Sequence, residues 1–228
     1  VSLVARDGET LDALGPVRLF QRRDGYRFTV DARLLADFAL DGRDDRPADA
    51  VDLGTGCGVI ALTLKARRPL WRVSGLELQP GLHDLALRGA RLNGLDVRMF
   101  CGDLRAPPAE LGSDLDLVVS NPPYFDASAG HLSPAGERAL ARHDATCTAP
   151  DLARAARRML KSNGALCVVY PSARLPGLLT ALNAEAFVPT RLRFVHPSPG
   201  APAGVVLVEA RPHARRPLVV EAPVVVRA

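Results

Sequence analysis

The sequence predicts an α/β fold built on a mostly parallel sheet, and three observations carry that prediction. From Val51 onward, short β-branched runs alternate with helical patterns, and such alternation suits a parallel sheet with helices covering both faces. A glycine-rich turn, Gly54-Thr55-Gly56-Cys57-Gly58, stands where the first of these strands passes into a helix. The last two strand runs lack a long helix between them and are joined by the Pro- and Gly-rich stretch Pro197 to Gly204. They are expected to close the sheet as a C-terminal antiparallel hairpin.

Taken in order, strands are expected at Ala50–Leu53, Arg72–Glu77, Val97–Phe100, Asp116–Ser120, Ala165–Tyr170, Leu192–Val195 and Val205–Ala210. Leu82, Leu85, Ala86, Gly89 and Leu92 recur with the period of one helical face, as do Leu152, Ala155, Ala156, Met159 and Leu160. Pro150 at the start of the second helix and Gly164 just past its end read as its punctuation. Upstream, Asp31 is placed to cap a helix carrying Leu34, Leu35 and Phe38 on one face. Residues 41–49 are polar, contain Pro47 and read as a linker. The expected division is an N-terminal segment over 1–46, a main domain over 47–210 and a tail over 211–228. The tail alternates Pro, Arg and Val, which suits an added edge strand or a loose arm.

Composition narrows the function classes. Of 228 residues, 47% are hydrophobic and 24% charged, which excludes a disordered chain or a collagen-like fibre. The balance of 29 basic and 25 acidic residues leaves a net charge of +4, a mild bias that permits a polyanionic partner without requiring one. All the basic residues except Lys65 and Lys161 are Arg, which reads mainly as coding bias, although the planar Arg fork suits phosphate better than Lys does. Stretches 16–33, 136–161 and 211–228 each carry a basic surplus. They are read either as converging on a nucleic-acid backbone or as solvated faces. Cys57, Cys101, Cys147 and Cys167 are too far apart for a zinc knuckle or redox dithiol. The histidines His83, His131, His143, His196 and His213 show no metal-ligand spacing, so no metal is expected. No apolar run reaches membrane-spanning length, and no leader pattern opens the chain. A cytoplasmic protein without a membrane partner is expected, with its oligomeric state left open.

The glycine turn raises two nucleotide readings. A dinucleotide signature places its third Gly one residue later than Gly58 and rests a pyrophosphate on the helix N-terminus. Asp52, at the strand end beside the loop, repels a diphosphate and attracts a sulfonium or an ammonium group. The loop therefore favours S-adenosylmethionine over a nicotinamide dinucleotide, with Asp52, Gly54, Thr55 and Gly56 as donor-binding candidates. Glu77 ends the next strand, 23 residues after Gly54, near the ~20-residue offset of a ribose-binding acid. Asp103, in Cys101-Gly102-Asp103 after the third strand, can accept from an adenine amino group.

Asn121-Pro122-Pro123-Tyr124 is the most informative stretch. An apolar strand, Leu117-Val118-Val119-Ser120, delivers Asn121 to its C-terminal end, the edge that faces the ligand crevice of an open parallel sheet. The Asn121 side-chain oxygen and the Pro122 carbonyl can each accept one hydrogen of a planar amino group, and Tyr124 can stack on its plane. An amino nitrogen held this way aims its lone pair at an electrophile without a dedicated base.

Together, the Asp52–Gly58 loop, Glu77, Gly102-Asp103 and Asn121–Tyr124 resemble the class I S-adenosylmethionine-dependent methyltransferases that act on an amino or amide nitrogen. That resemblance implies a seven-stranded Rossmann-like fold. Gly25-Tyr26-Arg27-Phe28-Thr29-Val30-Asp31-Ala32 upstream and Ala141-Arg142-His143-Asp144 downstream resemble one branch, the bacterial tRNA (adenine-N6) methyltransferases that modify the adenine beside the anticodon of a valine tRNA. Asp144 stands where that branch usually has Glu. The resemblance implies tRNA as partner, Tyr26, Phe28, Thr29 and Asp31 closing over the donor, and Leu78, Leu104 and Asn121 also touching it. It further implies that Pro123, Phe125, Arg142 and His143 meet the substrate. Read without it, Tyr26 and Phe28 suit core aromatics equally well. Alternative targets are a release-factor glutamine amide and guanine N2 of ribosomal RNA; a non-catalytic donor- or RNA-binding module is the alternative of another class.

Overall fold

The computed structural model describes residues 3–24, 27, 30–122 and 147–226. An N-terminal hairpin, β1 (Glu9–Leu14) and β2 (Val17–Arg22), leads into α1 (Val30–Leu40). There follow β3 (Asp49–Leu53), α2 (Val59–Arg67), β4 (Arg72–Glu77), α3 (Pro80–Leu92), β5 (Val97–Cys101) and β6 (Leu115–Ser120). The chain continues through α4 (Ala149–Met159), β7 (Leu160–Pro171), α5 (Leu175–Ala184), β8 (Phe187–His196) and β9 (Val205–Pro212). It ends in two short strands, β10 (Val219–Val220) and β11 (Val224–Val225).

The main sheet has nine strands in the order β10-β8-β9-β7-β6-β3-β4-β5, with β11 also on β8. Strands β5, β4, β3, β6 and β7 run parallel, and β9 lies antiparallel between β7 and β8. The expected architecture is therefore present. Strand order reverses between β3 and β6, so the ligand crevice of such a sheet opens beyond their carboxyl ends. Helices bury both faces, which is why β6 reads as a continuous apolar run. Leu117 and Val119 pack with Phe20, Leu35, Phe38 and Ile60, while Val118 points the other way to Leu152, Met159, Leu178 and Leu182.

Several expectations need correction. The second helix stops at Met159, and Gly164 lies inside β7. There the register jumps from Leu115–Leu160 to Leu117–Ala165, and a Cβ on Gly164 would stand 2.8 Å from the Leu115 carbonyl oxygen. This glycine serves a bulge. Asp31 sits in the first turn of a helix that begins at Val30, where it complements the helix dipole from inside. The stretch read as a linker is fastened: Asp41 accepts from Arg191 (3.2 Å) and Arg193 (2.9 Å), and Arg43 reaches Glu209 at 3.2 Å. The hairpin β1–β2 has no counterpart among the expected strands.

The tail is an edge strand in two pieces. Glu221 takes Nε of both Arg191 (2.5 Å) and Arg193 (2.7 Å). Arg211 and Arg216 bond Glu209 at 2.9 and 2.7 Å. Glu209 is 1% exposed; burial pushes its carboxyl up, and the charges of Arg43 and Arg211 with bonds from Arg211 and Thr190 outweigh that and hold it low. Arg211 and Arg216 thereby neutralise an internal acid. Among the described residues no helix is long and apolar enough to cross a membrane.

Candidate functional site

The glycine loop folds over the end of β4, with Gly54 and Thr55 N–H both donating to the Leu76 carbonyl (2.8 and 3.0 Å). Gly54, Gly56 and Gly58 have φ of +73°, +59° and +89°, a region that side-chain-bearing residues rarely adopt. Their surroundings differ. A Cβ at Gly54 or Gly56 would meet nothing within 4 Å, whereas at Gly58 it would crowd Ala86 Cβ at 3.2 Å and Met99 Cε at 3.3 Å. The first two leave open space above the backbone, and the third packs the loop onto α3.

Two buried carboxylates lie beneath this loop. Asp52 is fully buried, and its Oδ2 accepts from Thr55 Oγ1 (2.7 Å) and Ala61 N–H (3.2 Å). Its Oδ1 is buried and has no hydrogen-bond partner among the described residues. Burial pushes the carboxyl from 3.8 up to about 7, the bonds from Thr55 and Ala61 oppose that, and nearby Glu77 adds to it. Half of this group therefore braces the loop, and one oxygen is left over. Glu77 accepts Gly56 N–H on Oε2 (2.8 Å) and Gln79 N–H on Oε1 (2.9 Å). Its carbonyl accepts Gly102 N–H at 2.9 Å, so one residue ties together the loops after β3, β4 and β5.

Asp103 is less open than the sequence suggests. Arg105 gives it three side-chain contacts of 2.6–3.0 Å and a backbone N–H at 2.8 Å. The hydrogen bonds from the Arg105 guanidinium hold its carboxyl below the usual range. Leu78 is exposed and Leu104 half-buried beside these acids in sequence.

At the reversal point, Ser120 Oγ donates to the Leu53 carbonyl at 2.7 Å, buried. That bond fixes the end of β6 to the end of β3, one residue before Asn121 and Gly54 respectively. Asn121 is half-buried and Pro122 buried at this edge. Tyr26, Phe28, Thr29, Pro123, Tyr124, Phe125, Arg142 and His143 lie outside the described residues. Sequence reasoning missed Ser120 and Arg105. A polar residue closing the apolar run of β6 was the available signal for the first; Arg105 had none beyond its sequence distance from Asp103.

The donor set fits S-adenosylmethionine: positive-φ glycines with open space above them, a buried carboxylate oxygen without a partner among the described residues, and a second acid, Glu77, at the end of the next strand. Among the described residues no group of three His, Cys, Asp or Glu side chains is arranged to hold a metal.

Comparison with known proteins agrees with this geometry. The family model described as methyltransferase small domain matches residues 32–176. The tRNA1(Val) (adenine(37)-N6)-methyltransferase of Porphyromonas gingivalis is 33% identical over 192 residues, spanning 82% of this chain and 74% of that protein. The release factor glutamine methyltransferase of Enterococcus faecalis is 31% identical over 137 residues, spanning 57% and 49%. The crystal structure of a predicted O-methyltransferase from Agrobacterium tumefaciens superposes with a TM-score of 0.66 at 24% identity, over 86% of each chain; this likeness is one of fold.

Proposed function

Because the chain belongs to the methyltransferase small domain family, we propose that it transfers a methyl group from S-adenosylmethionine to the N6 amino group of an adenine in tRNA, in the cytoplasm. The observation that carries this reading is the bond from Ser120 to Leu53, which ties the residue before Asn121 to the residue before Gly54. The extent of the match to the Porphyromonas gingivalis tRNA enzyme favours adenine over a glutamine amide, since the release-factor enzyme matches a smaller share of both chains.

When bound, S-adenosylmethionine supplies an electrophilic methyl group on a sulfonium. Glu77 would accept hydrogen bonds from the ribose hydroxyls of the bound donor, and Asp52 Oδ1 would take its ammonium while Oδ2 keeps the loop in place. Asp103 would accept from the donor's adenine amino group. By the family resemblance, Tyr26, Phe28, Thr29 and Asp31 would close over the donor, and Leu78 and Leu104 would touch it. Asn121 Oδ1 and Pro122 O accept the two hydrogens of the target N6, turning its lone pair toward the crevice, and Tyr124 stacks on the flipped base. By the same resemblance, Pro123, Phe125, Arg142 and His143 would meet the substrate. The proton shed by nitrogen leaves along one of the acceptor bonds to solvent. The acceleration comes from positioning.

The test is tritiated-methyl transfer to tRNA from a strain lacking the protein, with unmodified release factor in parallel. Label in N6-methyladenosine of tRNA is expected; label in release factor alone would transfer the reading to the glutamine amide.

A further inference from the structure

The β1–β2 hairpin takes no part in the transfer chemistry, yet it is fastened along α3. Arg88, with its side chain buried, gives Nη1 to Glu9 Oε1 (2.7 Å) and Nη2 to Glu9 Oε2 and the Val4 carbonyl (both 2.8 Å). Its guanidinium carbon lies 4.2 Å over the Phe20 ring. At the other end, Asn93 clasps the backbone of Arg18, whose N–H donates to Asn93 Oδ1 (2.9 Å) and whose carbonyl accepts from Asn93 Nδ2 (2.7 Å). Val17, Leu19 and Phe20 are buried beneath. A two-stranded ribbon alone is marginal; these anchors make it a rigid shelf.

Four exposed arginines of the hairpin and the adjoining α3 lack an acidic partner among the described residues: Arg18, Arg22, Arg23 and Arg91. Arg23 is turned onto the Glu9 carbonyl (3.2 Å), which leaves Arg18 and Arg22 on the shelf and Arg91 on the helix beneath it. Many other arginines are paired with acids, as in Arg6–Asp84, Arg27–Asp12, Arg72–Asp49 and Arg105–Asp103. Arg91 lies two residues before Asn93, and Arg18 is held by Asn93. Arg22 lies at the opposite end, its Nη1 3.8 Å from where a Cβ of Gly81 would stand. Gly81 is in the first turn of α3, just beyond Glu77. The row therefore starts beside the donor site and runs outward along α3. Four residues of strand separate Arg18 from Arg22 by about 13 Å, enough for each to meet a different phosphate.

We propose that this shelf docks the phosphate backbone of the RNA substrate, with Arg18, Arg22 and Arg91 each meeting a phosphodiester. The proposal rests on the tRNA reading above. A guanidinium with no acidic partner among the described residues breaks no ion pair there when phosphate arrives, and its fork accommodates phosphate oxygens. Contacts of this kind supply affinity and register while leaving base choice to the pocket.

The test compares an Arg18→Gln/Arg22→Gln/Arg91→Gln triple variant with an Arg158→Gln/Arg215→Gln double variant. The latter removes arginines that also lack an acidic partner among the described residues, on α4 and the tail. Methyl transfer to tRNA is measured across a salt series, alongside affinity for S-adenosylhomocysteine and thermal stability. The triple variant is expected to raise KM for tRNA at least tenfold near physiological salt. The slope of log kcat/KM against log salt should become shallower by about two to three, from 0.7–0.9 per lost phosphate contact. Donor affinity and kcat should be retained, and the double variant should stay within about threefold of wild type. An unchanged KM and slope in the triple variant, or an equal loss in the double variant, overturns the shelf. Wild-type protein that methylates no tRNA defeats the functional reading instead.

Discussion

Replacing Asp52 with Asn separates what this carboxylate does for the fold from what it does for the donor. Burial lifts its carboxyl from 3.8 to about 7, so folding takes up a proton at any pH between those values. The stability that goes with the protonated acid is complete below about pH 4 and is lost as pH rises to about 7, at roughly 1.4 kcal/mol per pH unit. The Asp52→Asn variant keeps an oxygen for Thr55 Oγ1 and Ala61 N–H but has no charge to bury. Between pH 5 and pH 8 wild type crosses about two units of that window and should lose about 3 kcal/mol relative to the variant. Urea unfolding of both proteins at the two pH values measures this, and the comparison cancels every other titrating group. Affinity for S-adenosylhomocysteine should move the opposite way, weakening at least tenfold at pH 8 as the ammonium loses a charged acceptor. A stability difference that is the same at both pH values would refute the burial argument.

Three further substitutions probe the surroundings. Arg105 fills the acceptor positions of Asp103, so Arg105→Gln should tighten S-adenosylhomocysteine several-fold and increase its preference over the hypoxanthine analogue, read by calorimetry. Ser120→Ala leaves the buried Leu53 carbonyl without its 2.7 Å donor; urea unfolding should show a loss of about 1–2 kcal/mol, and kcat/KM should fall as Asn121 loses its brace. Gly164→Ala drives a methyl group to within 2.8 Å of the Leu115 oxygen and should cost about 1–3 kcal/mol, seen as a lowered Tm with donor affinity intact.

The sheet was legible because its strands announce themselves locally. Leu117-Val118-Val119 is apolar on both faces since α1 and α2 cover one side and α4 and α5 the other. The glycine loop was legible for a similar reason, since positive φ admits few residues. The hairpin β1–β2 was hidden because Glu9-Thr10-Leu11-Asp12 has no strong β signal. Its stability comes from Arg88 and Asn93, which are about 75–80 residues away in sequence. Gly164 misled for the complementary reason: a glycine after a helix usually ends it, and only the neighbouring strand shows that this one accommodates a bulge. Within the site, residue types were readable and orientations were not. The turning of Asp52 beneath the loop, the occupation of Asp103 by Arg105 and the Ser120 brace are contacts between elements that composition and spacing do not encode.

Methyl transfer depends most directly on Asn121. Single-turnover methyl transfer to tRNA by the Asn121→Ala variant, measured together with calorimetric binding of S-adenosylhomocysteine, tests it. Donor affinity is expected to fall no more than several-fold, from the contact Asn121 makes with the donor, while the transfer rate drops by about 10²–10³, the usual effect of losing one pre-positioned polar contact to a reacting group. Transfer at close to the wild-type rate would contradict that dependence.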